Sequence, residues 1–276
     1  MDITNDGGAE INMLTALGFN PVPGSTVPAP VILSGGIVSL GTTSSTLQSG
    51  SWASIYGTNL AAATRVWKDS EIVNNNLPTS LDGVSVKVNG KAAYMYFISP
   101  GQLNFQVPDD TATGSVTVTV TNANGTSNAG TATLASVGPA IFTLDGKYPA
   151  AVIPSATGVY NAGTPGAYDL LGPAGKFAFN TRPAKKGEIV ALYATGLGAT
   201  SPATPAGRIV SVVAKTVNQV TVLIGGVSQT VDAYIIGAGT YQFNVTIPQT
   251  AASGDNTLVI RTNGVQTAAG TVLTVQ

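Results

Sequence analysis

The 276-residue chain contains no histidine and no cysteine. Their absence removes imidazole bases, Ser-His-Asp triads, thiolate nucleophiles, disulfides and the common zinc and copper ligand sets. The chemistry that remains belongs to carboxylates, lysines, tyrosines and amides. The thirteen acidic residues are scattered, and only Asp109 and Asp110 are adjacent. Neighbours on a strand face opposite sides. The pair stands at the start of a loop, yet calcium needs six to eight oxygens and no DxDxDG-like run supplies them. No metal and no cofactor is expected. A glycosidase of the carboxylate-pair type needs two acids about 5–10 Å apart in a cleft, and acids so few and dispersed argue against one. The expectation is a protein that is not an enzyme.

Aromatic and amide side chains carry the remaining recognition chemistry. Trp67 lies in a long connection, residues 61–80. Its ring can stack on the apolar face of a sugar, or plug the end of a sheet sandwich. Tyr94 and Tyr96 pose the same choice, and alternation places both on one face. Gln102 and Asn104 alternate with Leu103 and Phe105; Gln242 and Asn244 alternate with Phe243 and Val245. On a strand the amides then share one face and the hydrophobes the other. Such amides either bond neighbouring backbone or form a polar binding strip. Tyr56 and Tyr193 each precede a small-residue turn, where a tyrosine can bury its ring and tie its hydroxyl to the backbone. A ligand role at both would require two equivalent sites. Pro108 and Pro248 close the amide-bearing strands, since proline lacks a ladder donor.

The elements that must position these residues occur twice. The run from Gln102 to Pro108 recurs 140 positions later, from Gln242 to Pro248. Residues Ser54–Leu60 are echoed by Ala191–Leu197 at an offset of 137, and Val84–Gly90 by Val220–Gly226 at 136. Conserved order with small drift in loop length means a duplicated domain. Tyr56, Tyr193, Gln102, Gln242, Asn104, Asn244, Pro108 and Pro248 are therefore read as fold determinants common to both copies.

The first copy shows seven or eight short strands separated by turn signals, an all-β sandwich pattern. Val84, Val86 and Val88 alternate with polar residues, and Asn89-Gly90 is a strong hairpin signal. The chain is long enough for two domains. The expected division is an arm or linker at 1–27, one sandwich at 28–137 and a second at 138–276, with an irregular insertion around 145–187. Charged residues make up 9% of the chain and the net charge is −1. That balance excludes the basic stripe that nucleic-acid backbones require. No apolar run reaches the length of a membrane span, and the first residues lack the pattern of a signal peptide.

The run Gly50–Leu60 resembles the opening motif of IPT/TIG-type immunoglobulin-like domains. Residues Leu77–Gly90, Ile98–Pro108, Gly138–Thr143 and Leu192–Gly198 together resemble a bacterial C-terminal module of tandem IPT/TIG-like domains, acidobacterial type, from secreted proteins. The likeness spans about residues 28–276 and departs from the module at 1–27 and in parts of 145–187. It implies tandem immunoglobulin-like β-sandwiches, an extracellular or cell-surface location and a role in attachment or spacing. It supplies no catalytic residues. The leading expectation is a structural or adhesive module, acting as a spacer or protein-interaction unit. Its partners would be other domains of a larger secreted protein, a further copy of itself, or a surface protein or polysaccharide. Self-assembly would use edge strands or the 1–27 arm. The alternative is a carbohydrate-binding module using Trp67, Tyr94 and Tyr96.

Overall fold

The computed structural model describes residues 28–40, 42–154 and 168–276. The expected arm at 1–27 and residues 155–167 of the insertion, Tyr160 included, lie outside the described residues.

Between Val31 and Ala135 the strands are β1 (Val31–Ser39), β2 (Thr46–Gln48), β3 (Trp52–Thr58), β4 (Arg65–Val66), β5 (Ser85–Val88), β6 (Lys91–Ala92), β7 (Tyr94–Ile98), β8 (Gln102–Gln106), β9 (Gly114–Asn122), β10 (Gly125–Thr126) and β11 (Gly130–Ala135). One sheet has the order β1-β3-β8-β7-β4, and its companion β2-β11-β9-β5-β6 with β10 added on β9. Every pairing is antiparallel except β2 with β11. The apolar positions that period two assigns to one face, such as Ile55, Leu103, Phe105, Val86, Val118 and Leu134, meet in a single buried cluster. The all-β expectation holds.

The second half repeats the arrangement with β12 (Ala140–Ile141), β13 (Ala151–Pro154), β14 (Tyr168–Leu170), β15 (Ile189–Thr195), β16 (Thr200–Ser201), β17 (Ala214–Thr216), β18 (Val220–Ile224), β19 (Val227–Val231), β20 (Tyr234–Gly237), β21 (Thr240–Thr246), β22 (Gly254–Thr262), β23 (Val265–Gln266) and β24 (Val272–Val275). The larger sheet runs β14-β13-β15-β21-β20-β17-β16, with β12 also on β15. The smaller runs β19-β18-β22-β23, with β24 also on β22. A separate core collects Leu192, Phe243, Val245, Val222, Ile260 and Leu273. The segments that echo one another in the sequence occupy corresponding sheet positions: β3 and β15, β8 and β21, β5 and β18, and β9 and β22.

Two segments differ from the expectation. The apolar run at Val31 does not end at Gly35-Gly36. The strand passes through them to Ser39, with a bulge against β3 between Ile32 and Ile37. The free edge at Ile32 is also covered, because Asn128 accepts from the Ile32 N–H at 2.8 Å and donates to its carbonyl at 3.1 Å. A bulge and a side-chain cap both blunt an edge against further strand pairing. In addition, the 61–80 connection contains β4 and a short 3-10 turn, Asp69–Glu71. Arg65 clamps it by donating to Glu71 at 2.8 and 2.9 Å and to Asp82 at 2.7 Å.

Candidate functional site

The amides lie where alternation places them. On β8, Leu103 and Phe105 are buried while Gln102 and Asn104 point outward; on β21, Phe243 and Val245 are buried while Gln242 and Asn244 point outward. The cross-strand partners match between the halves. Tyr56 stands opposite Gln102 and Tyr193 opposite Gln242; Ser54 stands opposite Asn104 and Ala191 opposite Asn244. Directly opposed residues share a face, so both tyrosines accompany the amides outward.

The expected burial of these tyrosines is therefore not found. Tyr56 is 42% exposed and Tyr193 is half-buried. Partial burial, and after it the neighbouring Tyr168, pushes the Tyr193 phenol above its usual range. The buried tyrosine with a tied hydroxyl is Tyr241, whose Oη donates to the Gly198 carbonyl at 2.6 Å. Burial pushes its phenol up to about 12. The signal for Tyr241 was present in the sequence, since it shares the inward period of Phe243 and Val245.

The two amide pairs differ in their bonding. Gln102 Nε2 donates to Asn104 Oδ1 at 2.8 Å, and Ser54 Oγ donates to the same oxygen at 2.9 Å. At the matching position in β15 stands Ala191, which has no hydroxyl to offer. Pro108 and Pro248 each follow the strand they were expected to close. The Pro108 carbonyl accepts from Ser49 Oγ at 3.3 Å and the Pro248 carbonyl from the Ala251 N–H at 3.1 Å.

Asp109 and Asp110 serve separate tasks. Asp110 accepts from the Ala112 N–H at 3.0 Å and from Asn89 at 2.9 Å, and pairs with Lys91 at 3.2 Å. These contacts, the Ala112 amide foremost, hold its carboxyl at about 2. Asp109 accepts from the Ala206 N–H at 3.0 Å. Among the described residues no three metal-binding side chains converge.

Trp67, Tyr94 and Tyr96 gather near the junction of the halves. Trp67 packs edge-on against Tyr96 at 4.9 Å between centroids, and Trp52 completes the trio at 6.0 and 5.7 Å. The rings are tilted by 59–77°, so they offer edges to one another and no common flat platform. Trp67 rests on the first core. The bulge on β7 between Met95 and Phe97 separates Tyr94 from Tyr96. Tyr94 instead lies over Gly207 of the second half.

The same junction holds residues that the sequence did not single out. Gln106 accepts from the Gly207 N–H at 2.8 Å and donates to the Gly50 carbonyl at 2.8 Å. The Leu77 N–H donates to the Gly207 carbonyl at 2.8 Å, and the Ile209 N–H to the Asn75 carbonyl at 2.9 Å. The Trp52 N–H donates to Thr195 Oγ1 at 2.9 Å, and its indole N–H to the Ala238 carbonyl. Gln106 continues the outward row of Gln102 and Asn104, which is the one sequence signal for it. A cleft of about 410 Å³ remains beside these contacts, lined in part by Asp109, Thr200, Thr204 and Tyr241.

Residues 36–134 match the family described as the IPT/TIG domain, an immunoglobulin-like β-sandwich. No curated protein matches the chain. Among solved structures, the chain is similar to SGBP-B of the Bacteroides ovatus mixed-linkage glucan utilization locus, at 11% identity and a TM-score of 0.34, covering 84% of this chain and 43% of that one. It is also similar to the surface glycan-binding protein PbSGBP-B from Prevotella bryantii, at 10% identity and 0.24, covering 87% and 41%. The Escherichia coli adhesin FdeC matches at 12% identity and 0.24, covering 89% and 66%. The chain thus spans less than half the length of the two glycan-binding proteins.

Proposed function

We propose that the chain is a non-catalytic, stiff spacer of two tandem immunoglobulin-like domains, residues 28–137 and 138–276, within an extracellular or cell-surface protein. The observation that carries this reading is the junction. The backbone groups of Ala206, Gly207 and Ile209 are bonded by Asp109, Gln106, Leu77 and Asn75 of the first half. An inter-domain contact this specific opposes relative motion, which is otherwise the default for linked domains. Support for the location comes from a charge-poor, cysteine-free composition and from the IPT/TIG domain at 36–134. Among the described residues no helix is long and apolar enough to cross a membrane.

The spacer would fix the separation of flanking domains or of a surface partner. The carbohydrate reading at Trp67, Tyr94 and Tyr96 draws less support, because those rings are committed to each other and to Gly207. Small-angle scattering tests the spacer. The intact chain is expected to scatter as one rigid particle. Gly207→Val, which drives a side chain into the Tyr94 ring, is expected to broaden the distance distribution. A wild-type profile that only an ensemble of inter-domain orientations can fit would refute the spacer.

A further inference from the structure

We infer that the outward face of β15, β20 and β21 is a binding site for a neutral polysaccharide chain. The inference does not rest on the spacer reading. Tyr193, Gln242 and Tyr234 are successive cross-strand partners on three adjacent strands. With strands about 4.8 Å apart, the backbone positions of the two tyrosines stand roughly 10 Å apart with that of an amide between them. Asn244 faces the same way two residues along β21, and Tyr234 is 38% exposed.

The β20–β21 part of the face is concave, and Tyr193 of β15 stands outside the groove, beside Gln242. A groove of about 790 Å³ is lined by Gln229, Asp232, Tyr234, Ile236, Gln242 and Asn244, among others. One rim is fixed in place, because Gln229 donates to the Thr246 carbonyl at 2.6 Å and accepts from the Thr246 N–H at 3.1 Å.

The amides of the two halves are bonded differently. In the first half the outward amides are tied to each other and to Ser54. In the second, Ala191 replaces the serine. Among the described residues the side chains of Gln242, Asn244 and Tyr234 form no hydrogen bond. An amide without an intrachain partner keeps two donors and an acceptor, a pattern that fits vicinal sugar hydroxyls. Tyrosine faces cover the apolar C–H face of a pyranose.

Charge selects the class of ligand. Among the described residues Asp232 is the one charged residue lining the groove, and Lys215 pairs with it. An anionic polymer would meet no uncommitted cation there. An apolar peptide would strip water from amides it cannot satisfy, at a cost that opposes binding.

Affinity electrophoresis of the intact chain tests the site, using native gels containing amylose, galactomannan or hydroxyethyl cellulose, with polygalacturonate as the charged control. Retardation is expected in at least one neutral gel. Tyr234→Ala and Gln242→Ala should each weaken that affinity at least ten-fold with an unchanged melting temperature, and Gln242→Glu should weaken it while keeping side-chain shape. Gln102→Ala, the counterpart in the first half, should leave it unchanged. The site is overturned if no neutral gel retards the wild type, if only polygalacturonate does, or if Tyr234→Ala/Gln242→Ala is retarded as strongly as wild type.

Discussion

Asp110 and Tyr241 contribute to the pH dependence of the folded state from opposite ends. The Asp110 carboxyl lies at about 2 in the folded chain, against an ordinary 3.8, because the Ala112 amide, Asn89 and Lys91 stabilise its charged form. A depressed acid contributes stability above its unfolded value and loses it as pH falls toward the folded one. Its share is expected to disappear between about pH 4 and 2. The Tyr241 phenol moves the other way, from 10.0 to about 12, because its burial penalises the phenolate. Its contribution is present below pH 10 and is lost as pH rises through 12. With no histidine in the chain, urea midpoints should be level between about pH 5 and 9. Asp110→Asn should flatten part of the acid limb. Tyr241→Phe should flatten part of the alkaline limb and cost about 1–3 kcal/mol at neutral pH, since the buried Gly198 carbonyl loses its donor. A sloping midpoint across neutrality, or an Asp110→Asn variant with an unaltered acid limb, would contradict this assignment.

At the scale of elements, what a residue does depends on whether its partners are local. The alternation around Phe105 and Phe243 is visible in a window of five residues, and both rings lie in the two cores. Truncating either to alanine should cost about 3–5 kcal/mol in chemical denaturation. The Asn89-Gly90 turn was equally legible, since both residues adopt positive φ, 51° and 76°. Gly207 has a similar φ of 75° but a different environment. Nothing lies within 4 Å of a Cβ built on Gly90, whereas one built on Gly207 would enter the Tyr94 ring. Gly90→Ala should therefore cost about 1 kcal/mol of backbone strain. Gly207→Ala should cost more, because strain and steric overlap add. Equal losses of stability in the two variants would refute the packing role of Gly207. That role was not legible beforehand, because it depends on a tyrosine more than a hundred residues away in the sequence. The bulge that carries β1 through Gly35-Gly36 was hidden for a related reason. Paired glycines read locally as a turn, and only pairing with β3 makes them a strand. The outward direction of Tyr56 and Tyr193 was available from period two, but the turn residues following each one pointed to a buried anchor.

At the scale of the whole molecule, the two halves repeat one plan and differ at the surfaces they turn to each other and to solvent. At one end of the outward face of the first half, Trp52 and Gln106 bond to the second half and Tyr94 covers Gly207. In the second half the outward residues Gln242, Asn244 and Thr246 of β21 line the groove. This division of labour places different side-chain bonding on the matching registers of β3–β8 and β15–β21. It also provides a direct measure of coupling. Both tryptophans, Trp52 and Trp67, belong to the first half and sit beside the junction, whereas strand content is distributed over both halves. Tryptophan emission therefore follows the first half and its contact with the second, while far-ultraviolet circular dichroism follows both. Coupled halves should give coincident midpoints by the two probes in urea, the standard test of a cooperative unit. Gly207→Val should separate them, with emission changing at lower denaturant as the indole of Trp52 leaves the Ala238 carbonyl. Separated midpoints in the wild type would mean that the junction contributes too little to hold two independently folding sandwiches as one body.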